Sequence, residues 1–455
     1  MHVMRNPGLA EIFLVNPRRS PDVLANLADY RLRRLVAYAY EHVPLYRERW
    51  RAAGVSPRDI RGRADLPLLP MIDKDVIVDA GSEAWSTVRP ARGLIEMRTS
   101  GTSGRAIHVI RTIREIRVMR RAILRHYFRL GMKPWNDTVT VASGWLKSKQ
   151  GVFIGRVART RHIEPDMPLD EQVAILAAFR PVAIVGQTGA LYLLARELLR
   201  QRAPYWMRWV VPTGATLMPE MRQAMRSAFG SDPCDMYGAV EVGPIAWQCG
   251  RGSYHLDADR VIVEIVDEDG RPRPPGQPGQ VVVTNLHSWT MPFIRYRLLD
   301  VAACLPGECG CGCRFPLMGA VRGRINDFLP TPTGELVSPH FFFHLFDDAA
   351  HNPVKDWRII QEGPAHLVYE YVPEEHFFDS AALSRGLDRV RQRFGAACRL
   401  EVRAVSHLPL TPAGKRRCIV SKLRPDAKPW DEVWIRPLDE APSVPGGASN
   451  GYGGR

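Results

Sequence analysis

No stretch of this 455-residue chain is apolar enough for long enough to cross a bilayer, which takes about 20 consecutive residues. The N-terminus carries no signal-peptide hydrophobic core, so the sequence reads as a cytoplasmic protein without a membrane span. It has no G-x-x-x-x-G-K-[ST] loop either, which removes support for P-loop phosphoryl transfer. The net charge is +14, yet no block of like charge is interleaved with aromatics, which argues against a specific nucleic-acid site. No internal repeat occurs. The eight cysteines of a cytoplasmic chain argue against a disulfide framework.

What remains has a globular balance, 45% hydrophobic and 24% charged, in a length that implies two or three folding units. The excess charge is diffuse and suits polyanionic small molecules. Its densest stretch, residues 111–130, sets Arg114, Arg117, Arg121 and Arg125 on one helical face, read as a solvated basic stripe.

Residues 1–28 lack periodicity and read as a surface arm. A helix is predicted over 30–46, stopping at Val43-Pro44 because proline disfavours helix in the residue before it. Residues 66–80 read as a proline-punctuated loop entering a helix. From Pro181 onward, strand-like runs at 181–186, 208–215 and 234–238 alternate with helical stretches, one starting near Pro219. That is the pattern of an α/β sheet with ligands at the strand ends. Two further strands follow within 260–286. Beyond residue 327 come strand, strand, helix (379–394) and strand, a small α+β unit. Residues 431–455, rich in Gly, Pro and Ser, read as a disordered tail.

Five short segments carry the chemistry: RTSGTSGRA (98–106), MYGAVEVG (236–243), RYRLLD (295–300), GRIND (323–327) and LTPAGKRR (410–417). In Thr99, Ser100, Gly101, Thr102, Ser103 and Gly104, glycines let the backbone approach phosphate while hydroxyls and N–H groups donate to it. Tyr237 offers a face for a π-rich base, and Glu241 a hard oxygen for a hard cation.

In order and spacing these segments resemble the adenylate-forming superfamily, in its phenylacetate–coenzyme A ligase-like branch, over roughly residues 30–425. The fold this resemblance implies is α/β. A large adenylate-forming domain with mixed sheets (1–326) precedes a small mobile C-terminal α+β domain (327–430, hinge near Asp327). It further implies that 99–104 clasp the ATP phosphates, with Arg105 where lysine is usual. Gly214, Ala215, Tyr237 and Gly238 would form the adenine walls, with Thr216 in place of the usual acidic residue. Glu241 would ligate Mg²⁺, Asp300 the ribose hydroxyls, and Arg324 the ribose or phosphate. Lys415 would enter the site to bridge carboxylate and α-phosphate.

The implied reaction activates a carboxylic acid, an aryl or small organic acid, to an acyl-adenylate and releases pyrophosphate. The acyl group then passes to a thiol, that of coenzyme A or of a carrier protein, or alternatively to an amine in a biosynthetic pathway. A nucleotide-binding protein without ligase activity is the reading from another class. It predicts a missing functional residue, and Glu241, Asp300, Arg324 and Lys415 are all present. A zinc-dependent nucleic-acid module would explain charge and cysteines but none of the five segments. Assembly as a homodimer stays open. Trp145, Phe153 and Gly186 are the residues that would line an aromatic acid site, with core packing as the plainer reading.

Five cysteines lie between Cys249 and Cys313, and C-x-C places two thiolates near one metal. Some members of the branch carry C-x-C-G before a proline, with an upstream cysteine and histidine. That resemblance selects Cys249, His255, Cys309 and Cys311 as a structural Zn²⁺ site, with Cys313, or less readily Cys304, as a substitute ligand. Cys234, Cys398 and Cys418 read as ordinary buried thiols.

Overall fold

The computed structural model describes residues 11–98, 107–142, 160–165, 167–323, 329–333, 336–337, 341–342, 345–346, 353–374, 378–395, 397–409 and 418–423. Residues 99–106, 143–159, 324–328, 410–417 and the C-terminal tail lie outside these. The phosphate-loop residues, Arg105, Trp145, Phe153, Arg324, Asp327 and Lys415 therefore fall outside the described residues.

The chain enters through two helices, α1 (Pro21–His42) and α2 (Pro44–Ala52). Val43 is extended (φ −121°, ψ 106°), as the residue before a proline must be, and separates the two. The break is where the sequence put it. The start is not, because helix already begins at Pro21. Residues 11–18 also form short helical turns rather than a loose arm, and Asn16 and Pro17 are buried. The segment is too short to show a period; it is held by buried Ile12, by the Phe13–Phe128 ring contact and by the Asn16 hydrogen bond to Asp259.

After α3 (Lys74–Ala80) an antiparallel hairpin forms from β1 (Leu94–Arg98) and β2 (His108–Thr112), and α4 (Ile113–Arg129) follows. Thr112 begins α4 with a reciprocal cap: its hydroxyl accepts from Glu115 N, and the Glu115 carboxylate accepts from Thr112 N at 2.6 Å.

The alternating region runs β3 (Thr138–Val141), β4 (Thr160–Ile163), α5 (Leu169–Phe179), β5 (Ala183–Gln187), α6 (Thr188–Arg200), β6 (Trp209–Thr213), α7 (Pro219–Phe229) and β7 (Met236–Ala239). Next come β8 (Gly243–Gln248), β9 (Tyr254–Leu256), β10 (Val261–Val266), β11 (Pro278–Asn285), β12 (Tyr296–Leu305) and β13 (Leu317–Met318). Eleven of these strands make one sheet, in the order β10-β11-β12-β13-β9-β8-β7-β6-β5-β3-β4. Pairing is parallel from β4 to β7 and antiparallel from β7 to β10. The mixed α/β fold thus has its change of direction at β7, the strand that bears Tyr237.

Two short strands, β14 (Leu329–Pro330) and β15 (Leu336–Val337), pair antiparallel. The last unit is a four-stranded sheet ordered β18-β17-β16-β19, from β16 (Val354–Gly363), β17 (His366–Pro373), β18 (Arg399–Ala404) and β19 (Ile419–Ser421), with α8 (Ser380–Phe394). Phe342, Trp357, Ile359, Tyr369, Leu387 and Ile419 belong to a core of its own. Among the described residues no helix is long and apolar enough to cross a membrane.

One expectation fails informatively. Arg125 is not on a solvated face; it is fully buried, with salt bridges to Asp257 at 2.5 Å and Asp259 at 2.8 Å. Its guanidinium also lies 4.7 Å from the Phe315 ring. Asp259 in turn accepts from Asn16 Nδ2 at 2.8 Å, and Asp257 meets His126 Nε2 at 2.9 Å. Burial alone would raise the Asp259 pKa, but the Arg125 charge prevails and holds it well below the usual carboxylate range.

Removing one partner of such a cluster leaves uncompensated buried charge. Arg125→Ala should therefore cost about 3–5 kcal/mol in urea unfolding, whereas Arg125→Met combined with Asp257→Asn and Asp259→Asn should cost less. Because the folded pKa of Asp259 is depressed, its stabilisation is present above about pH 4 and lost on acidification below that. A wild-type and Arg125→Ala stability difference that did not shrink below pH 4 would contradict this account.

Candidate functional site

The site lies where the sheet changes from parallel to antiparallel, at the ends of β6 and β7. Beyond β6, Gly214 has φ +84°, a conformation glycine adopts without strain. The Thr188 hydroxyl, at the start of α6, donates to the carbonyls of Thr213 (3.2 Å) and Ala215 (3.1 Å), fixing that turn. Thr213 Oγ1 donates to Met236 O at 2.8 Å, which ties the end of β6 to the start of β7.

Gly238 is demanded by contact. A Cβ there would lie 2.8 Å from the Gly243 carbonyl oxygen across the β7–β8 turn. Gly243 is demanded twice, by φ +78° and by Met119, whose sulfur would be 2.8 Å from a Cβ.

The turn presents Glu241, whose Oε1 accepts from the Tyr296 hydroxyl at 3.1 Å. The Tyr237 hydroxyl donates to Asp300 Oδ2 at 2.6 Å. Residues from three motifs, 236–243, 295–300 and 213–217, thus meet at one place. Asp300 sits where β11 and β12 shift register, between Gln280 and Val282. Beside it Leu299 has φ +62° and, four residues before Leu299, Arg295 has φ +48°. Such backbone costs of order 1–3 kcal/mol per residue and persists only where packing overrides it. Arg295 shows the override: its buried guanidinium donates to the carbonyls of Leu69 (2.7 Å) and Gly270 (2.8 Å) and pairs with Glu264 at 3.1 Å.

Two contributors were not singled out in the sequence. Tyr296 was read as motif context, yet it orients Glu241. Arg111, one residue before the cap of α4, donates to Val240 O at 2.8 Å and Glu241 O at 2.6 Å. Only the first had a signal, its place in RYRLLD.

Gly186 lies within the sheet, on β5. A Cβ there would sit 2.4 Å from Val141 O, where β5 pairs with β3. Cys234, Cys398 and Cys418 are half-buried rather than buried.

At the far end of β8, Cys249, His255, Cys309 and Cys311 offer ligand atoms that all lie within 4.8 Å of one another. Cys249 Sγ and Cys309 Sγ are 3.7 Å apart, and Cys311 Sγ is 3.3 Å from His255 Nε2. Tetrahedral zinc with Zn–S near 2.3 Å gives ligand–ligand edges of roughly 3.5–3.8 Å, so the donor set fits the ion. The other ring nitrogen of His255, Nδ1, faces the Phe315 carbonyl at 3.4 Å, the partner that leaves Nε2 free to bind metal. Cys313 is buried and is not one of these four; it shares an apolar cluster with Trp247, Phe315 and Cys249, against which Cys309 and Cys311 also pack. A cavity of about 320 Å³ borders the group, lined by Phe128, Arg129, Trp247 and Arg251 together with Cys249 and Cys311.

Residues 329–422 match the CapK C-terminal domain family. The chain is 28% identical over 317 residues to the phenylacetate–coenzyme A ligase of Thermus thermophilus, covering 67% of this chain and 71% of that protein. It is 20% identical over 416 residues to protein CapK of Staphylococcus aureus, covering 88% of this chain and 90% of that protein. In fold it is similar to 2-hydroxyisobutyryl-CoA ligase in the postadenylation state, with a TM-score of 0.76 at 20% identity, over 89% of this chain and 91% of that one.

The turn geometry makes a direct prediction. Gly238→Ala forces β7 and β8 apart and should destabilise the fold by roughly 1–3 kcal/mol. Gly250→Ala, where nothing lies within 4 Å of an added Cβ and the backbone is likewise not left-handed, is the control without that contact. Equal losses in thermal unfolding for the two variants would show that the Gly243 carbonyl contact is not limiting.

Proposed function

Since the chain belongs to the adenylate-forming superfamily, in its phenylacetate–coenzyme A ligase-like branch, we propose that it is an AMP-forming acid–thiol ligase. The observation that carries this reading is the convergence of Tyr237, Asp300, Glu241 and the Gly214–Ala215 turn on one end of β6 and β7. A purine on the Tyr237 ring would bring ribose hydroxyls toward Asp300, whose hydrogen bond from Tyr237 already orients the carboxylate. Glu241, steadied by Tyr296, would hold Mg²⁺, which neutralises charge on the nucleotide phosphates.

In the first half-reaction a carboxylate oxygen of the acid attacks the α-phosphorus of ATP. An O–P bond forms, the bond to the β-phosphate oxygen breaks, and pyrophosphate leaves. Residues 99–104 would hold the leaving phosphates and Arg324 the ribose or α-phosphate. Lys415 would offset the negative charge that builds between carboxylate and α-phosphate. In the second half-reaction the thiol, losing its proton to solvent, attacks the acyl carbon and AMP departs. Rotation about Asp327 would withdraw Lys415 between the two steps, with residues 1–326 as the large domain and 327–430 as the mobile one.

Coenzyme A is the leading acceptor, and the acid is proposed to be an aryl or small organic acid. These relatives support it: the curated ligases act with phenylacetate and coenzyme A, and one similar structure holds an acyl-AMP with coenzyme A. The second reading is transfer to an amine or a carrier-protein thiol. Similarity in fold to an amide bond synthetase, with a TM-score of 0.51, points the same way.

ATP–pyrophosphate exchange with a panel of aryl and alkyl carboxylic acids tests the first half-reaction. Acid-dependent exchange should fall about 10²–10³-fold in Lys415→Ala. Exchange that survives the substitution, or ATP binding with no exchange for any acid, would remove the adenylation reading.

For the cysteine cluster the proposed ion is structural Zn²⁺. Metal analysis of the purified protein should give about one zinc per chain, lost in Cys311→Ser, with Cys313→Ser retaining it. Zinc retained in Cys311→Ser and lost in Cys313→Ser would exchange the two ligands.

A further inference from the structure

The phosphate-loop residues 99–106 are strung between β1 and β2, while Glu241 belongs to the turn between β7 and β8. Arg111 connects the two. It sits opposite Ile95 in the β1–β2 register and is 3% exposed. From there its guanidinium crosses to the other turn, donating to the carbonyls of Val240 (2.8 Å) and Glu241 (2.6 Å). Its second terminal nitrogen meets the Met97 sulfur, on β1, at 3.2 Å.

The rest of that turn is held the same way. Arg260 donates to the carbonyls of Val242 (3.0 Å) and Pro244 (3.2 Å), and Asn285 Nδ2 to Val242 O at 2.9 Å. Buried donors therefore grip the backbone on both sides of Glu241 and leave its carboxylate to Tyr296.

Arg111, like Arg260, differs from Arg125 and Arg295 in its acceptors. Arg125 meets Asp257 and Asp259, and Arg295 meets Glu264, but Arg111 spends its hydrogen bonds on two carbonyls and a thioether. Burial lowers its pKa to about 10, with Glu115 and Glu241 acting in the opposite sense, so it stays protonated at neutral pH. A buried cation on neutral acceptors is costly, and that cost falls when a polyanion binds beside it.

We infer that Arg111 is a positioning residue: it sets the span between the phosphate-loop hairpin and the Glu241 turn, and its charge favours the magnesium–triphosphate end of ATP. The inference rests on the adenylation reading. It concerns affinity for Mg·ATP rather than for the acid.

The test compares wild type, Arg111→Lys, Arg111→Gln and Arg111→Met by titration calorimetry of ATP at graded Mg²⁺, and by exchange kinetics with an active acid. Arg111→Met and Arg111→Gln should raise the Mg·ATP needed for half-saturation by about tenfold or more, with the KM for the acid moving less than about twofold. Arg111→Lys keeps the charge but lacks the second terminal nitrogen that meets Met97 while the first holds both carbonyls, and should recover part of the loss. A purely structural role predicts lower thermal stability, with both substrate constants shifted alike or neither. Either of those patterns in the variants that fold overturns the inference. Wild type that binds Mg·ATP without catalysing exchange would refute the adenylation reading, while the binding comparison still decides the role of Arg111. Wild type that binds no ATP would refute both.

Discussion

Arg125 meets two carboxylates in the interior of the protein, and much of the large unit is organised around that contact. Asp257 and Asp259 lie in the short connection between β9 and β10, Arg125 on α4, and Asn16 in the N-terminal turns. One guanidinium thus joins three segments that are remote in sequence. Burying such a group alone would be prohibitive, and with two carboxylates it becomes tolerable only because each has a second partner. Arg260, one residue after Asp259, extends the same connection to the carbonyls of Val242 and Pro244. The rigidity of the Glu241 turn therefore derives partly from an ionic cluster outside the site.

The change of pairing direction at β7 is the second constraint. Parallel strands end together and leave a crevice at their C-terminal ends, whereas an antiparallel neighbour must turn back across it. The β7–β8 turn does this in the few residues that include Glu241. It is possible because Gly238 and Gly243 allow backbone to approach where a side chain could not. On the facing strand the irregular register near Asp300 and the left-handed Leu299 aim the carboxylate at Tyr237. Strain next to the Asp300 carboxylate exchanges stability for a fixed orientation.

How much of this was legible follows from the type of signal each feature carries. The alternating strands from Pro181, the helix starting at Pro219 and the strand–strand–helix–strand order of the last unit all appear close to where periodicity put them, because apolar spacing sets those elements. The superfamily resemblance and the mixed α/β fold class hold as well. The grouping of Cys249, His255, Cys309 and Cys311 was legible only through resemblance, since spacing alone left Cys313 and Cys304 as substitutes. What spacing could not reveal were contacts made by single polar side chains across long separations. Arg125 has the periodicity of a surface residue, and the carboxylates that bury it lie more than a hundred positions away. Arg111 was missed for the same reason, and the N-terminal turns because they are too short to show a period.

The cysteine group shows why a metal in this protein would act on structure rather than on chemistry. It stands at the Cys249 end of β8, whereas the Glu241 turn stands at the Gly243 end. Three thiols and an imidazole would fill a tetrahedral shell, leaving no position for substrate. Its link to the rest of the molecule is mechanical. His255 stacks on Trp247 at 5.2 Å, and Trp247 on His126 at 5.5 Å. His126 in turn meets Asp257 in the Arg125 cluster. Fixing His255 would brace that aromatic stack against the ionic cluster, which reaches the Glu241 turn through Arg260. A closed metal site can therefore stiffen the Glu241 turn without approaching it.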